Sequence, residues 1–522
     1  MADFAYPDFG YRAPGAGSGG IDRCRVAIVG GGPVGLSAAL DLAHHGVDCV
    51  LLDEDSTVSS GSRAICYAKR TLEIWDRLGI GPRMLDKGVT WQVGRVFHGP
   101  DQRYSFDLLP ESGHQYPAFI NLQQYYAELY LVEAARRMTG VDLRWRHRVT
   151  GAIAGNDGVR LSVETPDGPY TVVADYVLAA DGARSTLRRS LGLDFRGQVF
   201  EDRFLIADVH MKAGFPSERW FWFDPPFHAG GSALLHKQPD DIWRIDLQLG
   251  WDADPETERQ PERVIPRLKA MLGKDVPFEL EWVSVYTFQC RRLDRFRHGR
   301  VFFIGDSAHQ VSPFGARGAN SGVQDADNLV WKLAHVLRGE APDSLLDTYD
   351  GERIAAADEN IGHSTRSTDF IVPRNAMARH FRNAVLELAA GYPFARRMVN
   401  SGRLSMPTTY RDTPLSTPDR DAFAAGPPPG AAAIDAPDGD GWLLGRCHVG
   451  FTLLAFGDGP AVSDPRIARA VLPADGPAAR RYGAGPGTAY LLRPDQHVAA
   501  RWRTPTTADI SAAYERALGR AA

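Results

Sequence analysis

The sequence predicts an α/β protein with an open parallel sheet, a second sheet inserted into it, and a small α/β domain at the C-terminal end. Residues 25–52 have the pattern strand, glycine-rich turn, helix, strand. Residues 200–290 alternate apolar and polar positions and are rich in aromatic residues, which is typical of a separate sheet. Residues 405–440 are rich in Pro, Gly and Ala and are predicted to be a linker before the last domain.

Composition restricts the class of protein. With 522 residues the chain is too long for one ordinary core, so two or three domains are expected. A net charge of -5 gives no basic excess for nucleic acid. The five cysteines lack metal-ligand spacing, which favours reduced thiols and no metal site. We find no signal peptide and no apolar stretch long enough to span a membrane, so a cytoplasmic protein without a membrane partner is expected.

The remaining elements follow from hydrophobic periodicity. Strands are predicted within 141–180 and at 300–304, and a hairpin at 490–500. Helices are predicted at 123–138, 318–338, 344–371 and, in the C-terminal part, at 463–472.

The strongest local motif is a GxGxxG at residues 30–35, between a predicted strand and a predicted helix. Gly30, Gly32 and Gly35 suit a tight turn, a close approach of backbone to a pyrophosphate, and close packing of helix on strand. Pro33 stands at the start of the helix, whose free N–H groups and dipole attract phosphate. The motif therefore predicts a dinucleotide site.

An acid at the end of the second strand refines this prediction. Asp53 lies where a carboxylate accepts a hydrogen bond from a ribose hydroxyl, and Glu54 is the rival one position on. An acid here favours FAD or NAD over NADP. Only one such fingerprint is present in the sequence, so one nucleotide is expected to be held permanently and any second one transiently.

Two further motifs indicate a flavin. Residues 181–188, beginning with Asp181, read DGxxSxxR after a strand. Residues 305–333 begin with a strand end at Asp306, whose carboxylate can accept hydrogen bonds from a polyol. The glycines Gly315 and Gly318 let a loop lie against a flat ring, and the helix that starts at Gly318 would stabilise the negative charge on the pyrimidine side of a reduced flavin.

These three motifs, in this order, resemble the para-hydroxybenzoate hydroxylase type (group A) of FAD-dependent aromatic monooxygenase, in particular its phenol and 3-(3-hydroxyphenyl)propionate hydroxylase branch. The resemblance covers residues 24–375 well and the remainder loosely. It implies a flexible tail (1–21), a discontinuous FAD-binding Rossmann-like domain (22–92, 119–200, 286–375), an inserted β-sheet substrate-binding domain (93–118, 201–285), a helical segment and linker (376–430), and a thioredoxin-like C-terminal α/β domain (431–522).

The resemblance also implies roles for single residues. It places Asp53 on the adenosine ribose, Arg63 near the pyrophosphate, Gln123 near the ribityl phosphate and Asp306 on the ribityl chain, with Asp181 in a stretch linked to both FAD and NAD(P)H. The loop beside the flavin ring comprises Pro313, Gly315, Gly318, Ala319 and Asn320. Arg317 departs from the family pattern in this loop; it could hold an anionic substrate or the reducing cofactor, or it could face solvent.

The implied reaction is hydroxylation of a phenol. NAD(P)H reduces FAD, dioxygen adds at the flavin C4a position, and the distal oxygen of that peroxide passes to an electron-rich ring carbon. A base would help by taking the phenol proton. The candidates are Tyr67, His236, Arg244, Asp246 and Tyr286, among which the sequence does not choose.

Some alternatives stay open at this stage. His309 is expected to hydrogen-bond its turn, with a catalytic role as the alternative. The aromatic strand at 220–223 is expected to line a pocket for a flat substrate. The same fold could serve a Baeyer–Villiger or polyketide-modifying oxygenase, and a non-oxygenating FAD oxidoreductase is a rival from another class. The expected partners are a small aromatic substrate, O₂ and a second copy of the chain in a homodimer.

Overall fold

The computed structural model describes residues 4–15, 20–61, 63–155, 157–399, 406–447, 449–462 and 464–520. Its first sheet is mostly parallel and contains the glycine-rich turn, with strand order β17-β18-β11-β1-β2-β8 and with β10 and β9 added beside β11. The strands are β1 (Ile21–Val29), β2 (Cys49–Asp53), β8 (Val141–Trp145), β9 (Arg148–Gly155), β10 (Gly158–Thr165), β11 (Gly168–Ala179), β17 (Arg297–His298) and β18 (Val301–Phe303).

A second eight-stranded sheet, called here the substrate sheet, has the order β19-β16-β12-β15-β14-β13-β5-β6. Its strands are β5 (Val93–His98), β6 (Asp101–Asp107), β12 (Arg196–His210), β13 (Arg219–Phe223), β14 (Ser232–Lys237), β15 (Ile242–Gly250), β16 (Glu279–Arg292) and β19 (His309–Gln310). A small antiparallel sheet has the order β3 (Cys66–Ala68), β7 (Phe119–Asn121), β4 (Val89–Trp91). Its three strands come from the part of the chain between β2 and α4 (Gln124–Ala135).

Helices cover the first sheet and both faces of the substrate sheet. They are α1 (Pro33–His44), α2 (Lys69–Arg77), α3 (Gly81–Lys87), α4 (Gln124–Ala135), α5 (Thr186–Ser190), α6 (Pro255–Glu258), α7 (Pro261–Leu272), α8 (Gly318–Leu337), α9 (Asp347–Ile371), α10 (Ala376–Gly391) and α11 (Pro393–Val399). Helix α7 lies on the outer face of the substrate sheet, and α10 and α11 lie against part of its inner face. Helices α1 and α8 pack closely where they cross. A Cβ at Gly322 of α8 would lie only 2.6 Å from the Cγ2 of Val34 of α1, so the approach requires a glycine. This contact brings the glycine-rich turn and the third motif together.

The period-2 pattern of the substrate sheet separates two faces. Leu205, Ala207, Trp243 and Ile245 point to the outer face and pack beneath α7. The alternate positions form the inner face, which points toward β3 and the loop before α8. Only half of the aromatic strand β13 therefore belongs to the inner face, since its tryptophans at 220 and 222 pack on the outer side.

The C-terminal domain has a four-stranded sheet in which β22 (Phe451–Phe456) pairs parallel with β23 (Ile467–Leu472), and β24 (Ala489–Leu492) and β25 (Val498–Trp502) add antiparallel. Its other elements are β20 (Pro437–Asp438), β21 (Gly441–Trp442), α12 (Pro477–Tyr482) and α13 (Thr507–Ala517). This architecture confirms the predicted fold class. The predicted helix at 463–472 is wrong in the described part, because Ala470 and Leu472 alternate with the exposed Val471 and pair with β22 as a strand.

A buried ionic cluster joins the C-terminal domain to helices α8 and α9. Glu352 on α9 accepts hydrogen bonds from Arg493 (2.6 Å) and from Lys332 on α8 (2.7 Å), and all three side chains are 0–1% exposed. Asp495 pairs with the same arginine. The end of the C-terminal sheet is thereby fixed to the helix that carries the third motif.

The N-terminal segment differs from the expected flexible tail. Within the described residues 4–15, the Phe9 N–H donates to the carbonyl of Ser56 (2.7 Å), and the Phe9 ring packs on Trp145 with centroids 4.6 Å apart. The Phe9 ring therefore anchors this segment to the first sheet, unlike a flexible linker rich in Gly and Ser. Within the described residues, no helix combines the length and the apolar character needed to cross a membrane.

Candidate active site

Four neighbouring parallel strands end beside one another and assemble the three motifs. β1 ends at Val29, just before Gly30, and β2 ends at Asp53, while Asp181 and Asp306 follow the ends of β11 and β18. The carboxyl ends of parallel strands are the edge at which open α/β sheets bind ligands. Stretches distant in sequence therefore meet at one site.

The geometry of the turn requires its glycines. Gly30 has φ +110°, and a Cβ there would lie 2.3 Å from the carbonyl oxygen of Ala180. A Cβ on Gly35 would lie 2.0 Å from the carbonyl oxygen of Gly30, so α1 can approach the strand only without one. Around Gly32 no atom lies within 4 Å of a Cβ position, which leaves open space for an approaching phosphate. Helix α1 starts at once at Pro33.

The two rival acids after β2 have different environments. The Asp53 carboxylate accepts hydrogen bonds from the N–H of Gly31 and from the N–H of Asp55 (2.8 Å). Glu54 is exposed and has no hydrogen-bond partner in the described part of the chain. Burial raises the pKa of Asp53 to about 6. Asp53, and not Glu54, therefore faces the turn.

The second motif is a closed loop. The Asp181 carboxylate accepts the N–H of Leu187 at 3.0 Å, and Ser185 caps α5 by accepting the N–H of Arg188 at 2.9 Å. The other Asp181 oxygen is buried and without a partner among the described residues, and burial raises the pKa of this carboxyl. The free acceptor is available to a ligand at the sheet edge.

Asp306 lies at the N-terminus of α8. A Cβ on Gly318 would lie 3.9 Å from its Oδ1. Asp306 is exposed and, among the described residues, its side chain receives no hydrogen bond. The surrounding protein removes water from the carboxyl group, and this desolvation raises its pKa. The preceding loop has a 3₁₀ turn at Pro313–Gly315 and Ala316 at φ +49°, a strained conformation of the kind that clusters at binding sites.

The first turn of α8 also holds β3 in place. The Asn320 side chain accepts the N–H of Ala68 (2.8 Å) and the hydroxyl of Thr71 (2.7 Å), and donates to the carbonyl of Cys66 (2.9 Å). Ala319, beside it, is only half-buried. Asn320 thus fixes the strand that faces the substrate sheet.

Two other expected cofactor residues lie between the domains. The Arg63 side chain is exposed, and its carbonyl accepts a hydrogen bond from Arg244 Nη1 at 3.3 Å. Gln123 is buried, and its amide donates to the carbonyl of Pro239 at 3.2 Å. The Gln123 Oε1 is buried without a partner in the part of the chain that the structure describes.

The burial and contacts of Arg317 and His309 bear on the alternative roles predicted for each of them. Arg317 is only 6% exposed, and its Nη1 would lie 2.4 Å from a Cβ on Gly315, so the solvent-facing alternative is wrong. His309 is buried, with Nε2 2.6 Å from Asp325, a carboxylate that also binds Arg353 at 2.6 Å. Asp325 lies on α8 and also accepts the N–H of Gly305 at 2.9 Å, so this hydrogen bond joins the turn to the helix.

A row of charged side chains crosses the inner face of the substrate sheet. Arg244 pairs in register with Asp208 on β12 and with His236 on β14, and its Nε donates to the Asp208 carboxylate at 2.9 Å. Arg219, close enough to act on His236, is 7% exposed. Burial, Arg219 and Arg244 together lower the pKa of His236 well below its ordinary value.

The expected base candidates are not all in one place. His236, Arg244 and Asp246 lie together on adjacent strands. Tyr286 packs instead with the phenylalanines near the loop before α8. Tyr67 is fully buried against Trp75 in the core of the first sheet, with ring centroids 4.9 Å apart, and burial raises its pKa well above its ordinary value.

Two neighbours of this row did not stand out in the sequence. Arg219 is the first residue of β13, and the alternation of that strand would have placed it on the inner face. Cys66 on β3 faces the row, since Arg219 and Arg244 both act on its thiol. No sequence motif marks Cys66. Among the described residues, no group of His, Cys, Asp or Glu could hold a metal ion.

These features fit FAD: a glycine turn with open space, a ribose acid, and an unpaired carboxylate beside a helix N-terminus. Residues 23–364 match the family model described as FAD binding domain. The chain belongs to this FAD-binding family. It is a FAD-dependent monooxygenase of the aromatic hydroxylase kind, reduced by NAD(P)H. The family match and the curated relatives bear out the predicted recognition and the FAD cofactor.

Curated relatives cover most of the monooxygenase. It is 32% identical to a flavin-dependent monooxygenase of Mycobacteroides abscessus, over 91% of this chain and 96% of the relative. It is 31% identical to the 6-methylpretetramide 4-monooxygenase of Streptomyces rimosus, over 94% and 93%. It is 30% identical to a 3-(3-hydroxy-phenyl)propionate/3-hydroxycinnamic acid hydroxylase of Mycolicibacterium smegmatis, over 74% and 68%.

Solved structures share the fold. The flavin-dependent monooxygenase PieE, crystallised with FAD and substrate, matches with a TM-score of 0.82 at 24% identity, over 96% of this chain and 99% of that chain. The p-nitrophenol 4-monooxygenase PnpA from Pseudomonas putida DLL-E4 matches with a TM-score of 0.66 at 28% identity, over 74% and 99%.

Proposed function

We propose that this monooxygenase hydroxylates a phenolic ring of a multi-ring, polyketide-type substrate, using NAD(P)H and O₂. The relative named for 6-methylpretetramide supports the size of this substrate, since it matches 94% of this chain and includes the C-terminal domain. The hydroxyphenylpropionate hydroxylase of M. smegmatis matches only 74%. A single-ring phenol is the alternative that this second group of relatives supports.

The observation that carries the proposal is the contact between the substrate sheet and the loop before α8. Phe314 of that loop packs against Phe204 and Phe288 of the sheet, with ring centroids 4.9 Å apart in both pairs. An aromatic inner face therefore lies directly beside the nucleotide site. The three rings are buried with Ile371 and Leu386 in one apolar core, which would close this side of the reaction site to water.

The same placement supports a division of roles among the residues that would hold FAD. Asp53 would bind the adenosine ribose, the turn from Gly30 to Gly35 the pyrophosphate, and Asp306 the ribityl chain. The first turn of α8 would stabilise negative charge on the pyrimidine side of the ring. Arg63, Gln123 and Asp181 complete the proposed set. When bound, FAD supplies electron transfer from NAD(P)H and the activation of oxygen.

Labelled oxygen tests the proposed function. Purified holoenzyme is supplied with NADH or NADPH, ¹⁸O₂ and a panel of single-ring and multi-ring phenols, and the products are identified by mass. We expect phenol-stimulated oxidation of the nicotinamide and one ¹⁸O atom in a new phenolic hydroxyl. Label in an ester link would indicate a Baeyer–Villiger oxygenase, and oxidation without label in any product would indicate a non-oxygenating oxidoreductase.

A homodimer and a cytoplasmic location stay predictions. The first is tested by sedimentation velocity of the purified holoenzyme, and a monomer at all concentrations would contradict it. The second is tested by fractionation of cells that express the protein, where recovery with the membrane pellet would contradict it.

A further inference from the structure

Arg219 and Asp246 are charged side chains on the inner face of the substrate sheet that the nucleotide site does not use. Arg219 is 7% exposed, its Nε is buried, and no hydrogen bond or ion pair is made by its guanidinium among the described residues. Asp246 is half-buried, and its Oδ1 is likewise buried without a partner there. The two opposite charges act on each other without a direct hydrogen bond, so a polar group bound to both would satisfy atoms that the described residues leave unpaired.

We propose that Asp246 accepts the proton of the substrate's phenolic hydroxyl and that Arg219 holds the resulting phenolate oxygen. This inference rests on the proposed function. The phenol O–H bond breaks, an O–H bond forms on the carboxylate, and the electron pair stays on the substrate oxygen opposite the guanidinium. No group is oxidised or reduced in this step. The phenolate is more electron-rich at its ortho and para carbons, which favours attack on an electrophilic oxygen.

The register of the sheet places both groups on one surface. Arg219 is next to Trp220, which pairs with Leu235, so the register continues toward His236. His236 pairs with Arg244, and Asp246 is two positions further along the same strand. Cys66 of β3 is close enough for both Arg219 and Asp246 to act on its thiol, so β3 packs opposite this part of the sheet. A hydroxyl inserted between the substrate sheet and β3 would therefore meet an acceptor and a cation together.

The other candidates fit the role of base less well. The Arg244 guanidinium is a cation that already binds Asp208 at 2.9 Å. Burial raises the pKa of Tyr67 well above its ordinary value and that residue lies in the other core. Burial and two arginines depress the basicity of His236. Tyr286 packs with the phenylalanines near the loop before α8, which leaves Asp246 as the acceptor in the row.

The basicity of Asp246 suits the task. Burial raises the pKa of Asp246 to about 6 against the lowering effect of Arg244 and Arg219, with Asp208 adding a raising effect. His236 on β14 and Cys66 on β3 are the other titratable groups that face it. A base with a pKa close to the working pH is effective in general-base catalysis.

Binding of 4-nitrophenol to the holoenzyme tests the role of Arg219. The yellow nitrophenolate is followed by difference absorbance across pH, which gives the apparent pKa of the bound phenol. We expect the wild type to lower this pKa relative to free 4-nitrophenol, Arg219→Gln to bind the phenolate at least about tenfold more weakly, and Arg219→Lys to restore part of the effect. No binding by the wild type, or equal phenolate binding by Arg219→Gln, would overturn the assignment.

Kinetics with two phenols of different acidity test Asp246. Asp246→Asn is expected to lower kcat with 2-naphthol by about 10²-fold or more, and to lower it far less with 1-nitro-2-naphthol, which is already ionised at neutral pH. The rise of the wild-type rate with pH near 6 should disappear in the variant. Asp252→Asn, the same change at an exposed position just beyond β15, is the matched control and should behave as wild type.

The outcomes separate this inference from the proposed function. Equal losses with both naphthols would mean that Asp246 is merely structural and would overturn the proposal. If Asp246→Asn fails to retain FAD or to fold, the nitrophenol measurement on the Arg219 variants decides alone. If the wild type puts no label from ¹⁸O₂ into any phenol, the proposed function fails first.

Discussion

Glu352→Gln should destabilise the monooxygenase strongly while leaving its shape almost unchanged. In the fold the Glu352 carboxylate accepts hydrogen bonds from Arg493 at 2.6 and 3.1 Å, Lys332 at 2.7 Å, Asn328 at 2.6 Å and Thr413 at 2.5 Å. Glutamine has nearly the same shape but no charge, and its amide can accept only through its single oxygen. Lys332 thus loses its ion-pair partner, while Arg493 keeps only Asp495 among the described residues.

The magnitude follows from the burial of the cluster. Removing one partner of a buried ion pair costs about 3–5 kcal/mol, because an uncompensated charge stays in the interior. Burial alone would raise the pKa of Glu352, but Arg493 and Lys332 outweigh it and hold the pKa well below its ordinary value. The contribution is therefore present at neutral pH and is lost only as the pH falls through the depressed value. The difference between wild type and variant should shrink in acid.

Urea unfolding at neutral pH measures this effect, with far-UV circular dichroism reporting the fold and flavin fluorescence reporting the cofactor. We expect a lower midpoint for Glu352→Gln by both probes and faster proteolysis of the C-terminal domain. Glu387→Gln, the same change at an exposed position on α10, should match wild type. Equal midpoints for wild type and Glu352→Gln would refute the view that the cluster fixes the two domains together.

Three other predictions concern the cofactor site. Asp306→Ala should purify without yellow colour, whereas Glu54→Gln should keep its FAD; absorbance of the purified proteins decides, and a fully flavinylated Asp306 variant would count against the ribityl role. Gly35→Ala should lose FAD or fail to fold, since its Cβ would lie 2.0 Å from the carbonyl oxygen of Gly30; expression and thermal unfolding check this. His309→Gln should lower the free energy of unfolding by about 1–3 kcal/mol, through the loss of a buried hydrogen bond, and leave the pH profile of turnover unchanged; an altered profile would favour a catalytic histidine.

The sequence predicted the nucleotide edge well because glycines and strand-end carboxylates act locally. Gly30, Gly35 and Asp306 occupy their positions through backbone geometry that a short stretch of sequence determines. The choice between Asp53 and Glu54 needed the structure, since it depends on which side chain turns back toward Gly31.

The substrate surface was harder to foresee, because it forms from strands that pair across long distances. Nothing near Arg219 in the sequence shows that it faces Cys66 and Asp246. The segment at 463–472 was predicted to be a helix, whereas residues 467–472 form a strand because they pair with β22. Local sequence patterns predict helices and strands, but the strand with which a segment pairs decides its final structure and the surface that it faces.

The continuity of the substrate sheet has a consequence for chimeras between related hydroxylases. Its edge strand β19 belongs to the third nucleotide motif and pairs with the end of β16, Arg291 with Gln310 and Arg292 with His309. The crossover points for exchanging a substrate specificity therefore cannot fall between 279 and 310 without splitting a hydrogen-bonded ladder. A chimera that exchanges residues 279–310 as one segment should preserve both the edge of the substrate sheet and the binding of FAD.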